Sequence, residues 1–205
     1  MSGFDPDWLA LREPADHAAV NHLLRRKLTA HLGSRQRIAI VDLGCGTGSN
    51  FRSLAPELPG RQQWTLVDYD ATLLQNAERL NAANSKADVT VTYRQADFAD
   101  GNIAGLVAGH DLVTAAALFD LISEDKIARM ADQIAAAGAA FYTVLTYDGL
   151  AAWLPETPAA TVMRHAFNRH QRTDKGFGPA AGPDATIVLK RAFARLGYTT
   201  HTGKS

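Results

Sequence analysis

The stretch Arg37-Ile38-Ala39-Ile40-Val41-Asp42-Leu43-Gly44-Cys45-Gly46-Thr47-Gly48-Ser49-Asn50 decides how this 205-residue chain is read. Its first seven residues are a short, nearly continuous apolar run, the pattern of a strand buried on both faces and hence of a parallel sheet. The run ends in Gly44, Gly46 and Gly48, one at every second position, so backbone passes close to another group where a Cβ would obstruct it. A buried strand, such a turn and then a helix favour a nucleotide-like ligand over a merely tight turn. Two phosphate-binding patterns do not fit. A dinucleotide fingerprint needs a glycine where Ser49 stands, and a P-loop needs a Lys followed by Ser or Thr.

Outward from this strand the hydrophobic period keeps switching. Residues 63–67, 88–93, 111–115 and 139–146 read as further strands, while 49–55, 71–83, 101–108 and 124–137 each accommodate a helix. The clearest helix is 124–137, with Ile127, Met130, Ala131 and Ile134 on one face and Ser123 placed to cap it. This alternation implies an α/β fold of the Rossmann-like, doubly wound kind: a mainly parallel sheet with helices on both faces. A helix is expected over 15–32, opened by Pro14 and closed by Gly33. Residues 148–183 are proline-rich and include Lys175-Gly176-Phe177-Gly178-Pro179, so they read as an insertion or lid with a helix over 158–172. A further helix over 184–196 leads to an expected sixth strand that Ser205 cuts short. The expected organisation is one domain: a helical cap (1–34), a ligand-binding core (35–147), the insertion (148–183) and a C-terminal helix and strand (184–205).

Composition narrows the function. Lys plus Arg is 21 and Asp plus Glu is 21, so no global charge draws the protein to a polyphosphate or an anionic membrane. With 46% hydrophobic and 20% charged residues the chain reads as an ordinary folded protein. The longest uncharged stretch, Gln133 to Tyr147, is shorter than the ~18 apolar residues of a membrane span. The acidic N-terminus lacks the pattern of a secretory signal and Cys45 has no partner, so a cytoplasmic location is expected.

Asp42-Leu43-Gly44-Cys45-Gly46-Thr47-Gly48 resembles the first motif of class I S-adenosylmethionine-dependent methyltransferases, an acidic residue, one apolar residue and then G-x-G-x-G. The resemblance runs over about residues 35–147 and extends to three further strand ends. It implies S-adenosylmethionine as cofactor and S-adenosylhomocysteine as product. Of the first motif it puts Asp42, Gly44, Cys45, Gly46, Gly48 and Asn50 at the cofactor. In Leu66-Val67-Asp68-Tyr69-Asp70 it implies that Asp68 accepts from the ribose diol, against the alternative that Asp68 caps the next helix, and that Tyr69 lies on the adenine face. Asp97 is implied to accept from the adenine amino group and the Phe98 N–H to donate to a ring nitrogen. The carbonyls around Ala115 and Ala116 are implied to face the methionine portion. The segment from Val113 to Asp120 lacks the D/N-P-P-Y/F signature of amide and amino methyltransferases of DNA and protein.

The nucleophile's helper is left open. Asp120, Tyr147, Asp148, His165 and His170 qualify by position near strands 4 and 5 or in the insertion, each against a plainer role in a turn, at the surface or in packing. No metal is expected, since His17 and His22, like His165 and His170, stand five residues apart and miss the i,i+4 spacing of a helical metal pair. Arg12 is a candidate for a cofactor carboxylate, against the plainer role of a solvated surface arginine. Within the insertion, Arg169 and Arg172 on one helical face, with Phe177 closing the site, point to a small anionic acceptor, against a solvated helix surface. The expected partner is a small molecule, without nucleic acid or membrane. An RNA methyltransferase and a non-catalytic cofactor-binding sensor are the competing readings.

Overall fold

The computed structural model describes residues 4–82, 87–155 and 157–204. Of the expected segments, residues 1–3 of the cap, Ala83 at the end of the 71–83 helix, Glu156 in the insertion and Ser205 lie outside them.

Five strands, β1 (Arg37–Leu43), β2 (Arg61–Asp68), β3 (Val89–Gln95), β4 (Leu112–Ala116) and β5 (Ala140–Val144), form one sheet of order β3-β2-β1-β4-β5 in which every pairing is parallel. β1 lies at the centre because it alternates two apolar faces. Ile38 and Ile40 join Trp64, Leu66 and Leu112 on one side, while Val41 and Leu43 join Val67, Val113 and Ala115 on the other. The first face is covered by α2 (His22–Leu32) and α3 (Ser49–Leu54) with Leu74 of α4 (Ala71–Ala82), the second by α5 (Ala104–Val107), α6 (Glu124–Ala136) and α8 (Ala185–Arg195). Rossmann-like α/β is thus the observed architecture. The chain leaves β1 toward β2 and returns through β3 to β4 on β1's other side, so the carboxyl ends of β1 and β4 flank the point where strand order reverses.

The N-terminal helix departs from the sequence expectation. In place of one helix over 15–32 there are α1 (Pro6–Ala18) and α2, and Pro14 lies inside α1. Stronger start signals win on both sides: Asp5 accepts from the Asp7 N–H with Pro6 in the first turn, and Asn21 accepts from the N–H groups of Leu23 and Leu24. Ser123 stands at the start of α6, but its hydroxyl makes no capping hydrogen bond. β5 ends at Val144, two residues short of the expected run, because Leu145 takes a left-handed φ of 58°. Among the described residues there is no sixth strand. After α8 the chain continues past Tyr198, whose hydroxyl donates to the Ala139 carbonyl, to Lys204, whose carbonyl accepts from Asn21. No described helix is long and apolar enough to cross a membrane.

The insertion contains α7 (Ala160–Gln171) and then a segment anchored to the sheet. The Ser123 N–H donates to the Phe177 carbonyl and the Ala181 N–H to the Ile122 carbonyl, while Asp174 accepts from Gly176 and Gly178. α8 closes the second face, with Phe193 stacked on Phe141 at 4.6 Å between ring centroids and Tyr198 edge-on at 5.1 Å. Phe193→Ala is expected to lower the unfolding free energy by about 3–5 kcal/mol, the usual cost of emptying a buried aromatic site. Urea titration followed by circular dichroism measures it, and a loss below about 1 kcal/mol would show that α8 stands outside the cooperative core.

Candidate active site

The glycine turn is built as its spacing requires. Gly44, Gly46 and Gly48 have φ of 64°, 54° and 83°, a region closed to most side chains. A Cβ at Gly44 would stand 3.1 Å from Leu118 Cδ1, and one at Gly48 would stand 2.9 Å from Asn81 Nδ2. The turn is pinned to the end of β2: the Gly46 N–H donates to Asp68 Oδ2 at 2.8 Å and the Cys45 N–H to the Val67 carbonyl at 3.0 Å. Asp68 Oδ1 accepts from the Asp70 N–H at 3.0 Å. The cap of α4 is supplied by Asp70, which accepts from Thr72 and Leu73, so Asp68 does not serve as that cap. A carboxylate has room for about four donors, and these two leave Asp68 with capacity for a diol.

Asp42 corrects the sequence expectation. It is fully buried, its Oδ1 accepts from Asn50 Nδ2 at 2.8 Å, and Asn50 also donates to Thr114 at 3.1 Å. These two side chains brace β1, α3 and β4 from inside and present nothing to a ligand. Cys45 is likewise buried, its thiol pushed up by burial and by the charges of Asp42 and Asp68, which leaves its backbone as its part in the turn.

Around the cleft, Tyr69 and Gln95 stand together at the ends of β2 and β3, Gln95 donating to the Tyr69 carbonyl. Asp97 is exposed and accepts from the Ala99 N–H, and Phe98 is buried against Phe177 with ring centroids 5.9 Å apart. Phe177 was expected over the acceptor, but its packing puts it at the β3 end. The reason lies in the pairing of its segment with Ile122 and Ser123, which fixes where the ring falls. Ala115 is buried and Ala116 half-buried at the end of β4, followed by Ala117 with a φ of 50°. The Ala117 N–H donates to the Val144 carbonyl at 3.0 Å, joining the two strained strand ends.

The structure brings Asp120 and Tyr147 together and leaves the other candidate helpers apart. Asp120, buried after β4, has its carboxyl pushed up by burial, against the backbone N–H groups of Asp120 and Tyr147 and the charge of Arg12. The Tyr147 hydroxyl donates to Asn168 Oδ1 at 2.6 Å. Asp148 accepts from Leu150 in a turn, His165 is exposed, and exposed His170 meets only Lys175 at 3.4 Å. Arg12 is paired with Asp16 at 2.8 Å rather than free for a cofactor carboxylate. Arg172 spans to Asp184 at 2.8 Å and Arg169 is exposed, so the expected anion grip is not assembled. No three His, Cys, Asp or Glu side chains among the described residues gather as a metal site.

Sequence reading missed the roof. Leu9 of α1 lies over the turn, 3.5 Å from where a Gly46 Cβ would be, and Glu13 accepts from Arg52 Nε at 2.8 Å. Arg52 also donates to the Thr47 carbonyl and to Asn81, and His17 Nε2 lies 3.0 Å from Ser49 Oγ. The one available signal was a cation, Arg52, four residues past the last glycine.

Comparison with known proteins places a recognised domain on this fold. Residues 40–139 match the family model described as a methyltransferase domain. The fold is shared with a protein of Methanococcus maripaludis assigned to the S-adenosylmethionine-dependent methyltransferases (14% identity, 98% of this chain and 90% of that one, TM-score 0.56). It is shared also with magnesium protoporphyrin IX methyltransferase of Synechocystis, solved with bound S-adenosylhomocysteine (16%, 89% and 76%, 0.55), and with a cyclopropane synthase of Mycobacterium tuberculosis (12%, 87% and 60%, 0.56). No curated protein matches the sequence. The chain thus carries a methyltransferase domain over residues 40–139 and shares the fold of S-adenosylmethionine-dependent methyltransferases.

Burial, opposed by the Asn50 hydrogen bond and reinforced by the charge of Asp68, pushes the Asp42 carboxyl up to about 7. A carboxyl raised on folding holds its proton more tightly in the folded chain. Its stabilisation is therefore complete below the unfolded value of about 4 and is lost as pH climbs to about 7. Asp42→Asn removes this exchange, so its melting temperature relative to the parent is expected to rise steadily across that window. Scanning calorimetry at several pH values checks it, and a constant difference would put the titration elsewhere.

Proposed function

We propose that the chain transfers the methyl group of S-adenosylmethionine to a small-molecule acceptor bound between α1 and α7. The observation that carries the reading is the Asp68 carboxylate, buried at the carboxyl end of β2 beside the glycine turn, bonded to the Gly46 N–H and still able to accept from a ribose diol. Bound there, the cofactor supplies a methyl already activated on a sulfonium. The residues present fit it. Gly44, Gly46 and Gly48 let backbone approach, Asp68 takes the ribose and Tyr69 lies against the adenine. Asp97 accepts from the amino group, the Phe98 N–H donates to a ring nitrogen, and Phe177 walls that end. The carbonyls of Ala115 and Ala116 face the methionine portion. The protein's remaining tasks are to align the acceptor and keep water out, which the roof of α1 and the anchored insertion serve. A net charge of zero supports a small acceptor over a nucleic acid.

Asp68→Ala removes charge-assisted hydrogen bonds worth together about 2–4 kcal/mol, so affinity for S-adenosylmethionine is expected to fall at least about tenfold. Calorimetry on a variant whose melting shows it folded decides this, and unchanged affinity would take Asp68 out of the site. In a thermal-shift panel S-adenosylmethionine and S-adenosylhomocysteine are expected to stabilise the parent and NAD is not, since the third dinucleotide glycine is replaced by Ser49. Equal stabilisation by NAD would overturn the cofactor assignment.

A further inference from the structure

Asp120 is a buried acid that the cofactor reading leaves unused and that, unlike Asp42, makes no hydrogen bond to another side chain among the described residues. It follows β4 in the short turn Phe119–Leu121, is 8% exposed, and its Oδ1 has no hydrogen-bond partner. A buried carboxylate oxygen without a donor is costly, and such a group in a native fold calls for an explanation. The cations nearby do not supply one. Arg12 of α1 reaches Asp120 with its charge, but its guanidinium is bonded to Asp16 at 2.8 Å. From the segment after β5 comes the backbone N–H of Tyr147, itself flanked by the opposite charges of Asp148 and Arg164.

Tyr147, whose N–H reaches this carboxylate, belongs to an aromatic cluster. The Tyr147 ring meets Phe167 edge to face at 5.4 Å, and its hydroxyl is held by Asn168, which in turn donates to the Gly149 carbonyl at 3.2 Å. The two helices on either side leave large apolar side chains in solvent: Trp8 and Leu11 on α1, Met163 and Phe167 on α7. A buried carboxylate oxygen without a donor, a neighbouring aromatic pair and exposed apolar side chains on the flanking helices are complementary to a cation on an apolar body. They repel an anion, whose expected grip, Arg172, is committed to Asp184.

We propose that the methyl acceptor is an amine carried on an apolar or aromatic body, and that Asp120 Oδ1 binds its ammonium and takes its proton. The assignment rests on the small-molecule methyl-transfer reading and deepens it. Proton transfer to Oδ1 breaks one N–H bond and forms one O–H bond, leaving nitrogen its lone pair. That pair forms the N–CH3 bond, the S–CH3 pair stays on sulfur, the product leaves as an ammonium, and the Asp120 proton passes to solvent. Burial, which raises the affinity of Asp120 for a proton, suits it to this role.

The test uses protein saturated with S-adenosylhomocysteine and two matched series of probes: phenethylamine, 2-phenylethanol and 3-phenylpropanoate, then tryptamine, indole-3-ethanol and indole-3-propanoate. Calorimetry is expected to show the amine of each series binding at least about tenfold more tightly than its alcohol or acid, the size of effect a charge-assisted hydrogen bond gives. Asp120→Asn is expected to erase that preference while affinity for S-adenosylhomocysteine stays within about twofold. With S-adenosylmethionine in its place, mass spectrometry is expected to find the amine, and neither counterpart, methylated. Binding of the acid or alcohol as tight as the amine, or no binding by any probe to the loaded protein, overturns the assignment of the acceptor. Failure of S-adenosylhomocysteine itself to bind overturns the cofactor reading instead, so the two failures are distinguishable. Should Asp120→Asn not fold, the charge series on the parent protein decides alone.

Discussion

A 2.8 Å hydrogen bond from the Gly46 N–H to Asp68 Oδ2 joins the turn after β1 to the end of β2, and the geometry of the site depends on it. Asp68 is buried, so its charge has been taken out of water and is sustained by the backbone N–H groups of Gly46 and Asp70. A second buried acid, Asp42, lies one side chain inward and raises the cost of charge on both. The turn accepts this arrangement because its glycines reach left-handed φ values without strain, and the sheet enforces it because β1 and β2 are in register through Leu43 and Val67. A displacement of β2 by one residue would carry Asp68 to the other face and leave the Gly46 N–H unpaired.

The same central position of β1 explains why the fold was legible. A strand between β2 and β4, covered on both faces, must be apolar at nearly every position, and Ile38 through Leu43 write that requirement directly into the sequence. β3, on the edge, shows only alternating half-exposed positions, yet its Val89, Val91 and Tyr93 still carry a period of two. What periodicity does not contain is local competition between caps. Asp5 and Asn21 each bond nearby backbone N–H groups, and together they divide a segment whose apolar spacing is continuous. The expected sixth strand failed for a related reason: residues after Leu196 hold the chain by side-chain and carbonyl contacts at Ala139 and Asn21, and no ladder forms.

The glycine turn was legible in the sequence, and the side-chain contacts around it were less so. Spaced glycines and an acid at a strand end are consequences of strand order, so Gly44, Gly46, Gly48 and Asp68 could be named from the chain alone. Whether an acid faces ligand or core depends on its depth along the strand. Asp42 and Asp68 lie on the same face of the sheet, in phase with Ile40 and Leu66, but Asp42 stands within β1 and bonds Asn50, while Asp68 ends β2 beside the turn. The cations misled for another reason. Arg12 and Arg172 read as available cations in sequence, while in space each has an acid on its own or the next element, Asp16 and Asp184, and ion pairs near the surface contribute little stability.

The roof over the turn is held differently from the core beneath it. α1 has no buried residue. Its attachments are the Glu13–Arg52 pair, the His17 contact with Ser49 and the contact of Leu9 with Gly46. Water can replace most of these, whereas nothing replaces the apolar contacts of α6 and α8 against β4 and β5. Opening α1 therefore forfeits no core packing and leaves the Asp68 bond in place. Arg52 makes the coupling specific, since one guanidinium bonds Glu13 of the roof, the Thr47 carbonyl of the turn and Asn81 of α4. The roof is thus fastened to the glycine turn by polar bonds, the kind of attachment that opens locally without unfolding the core.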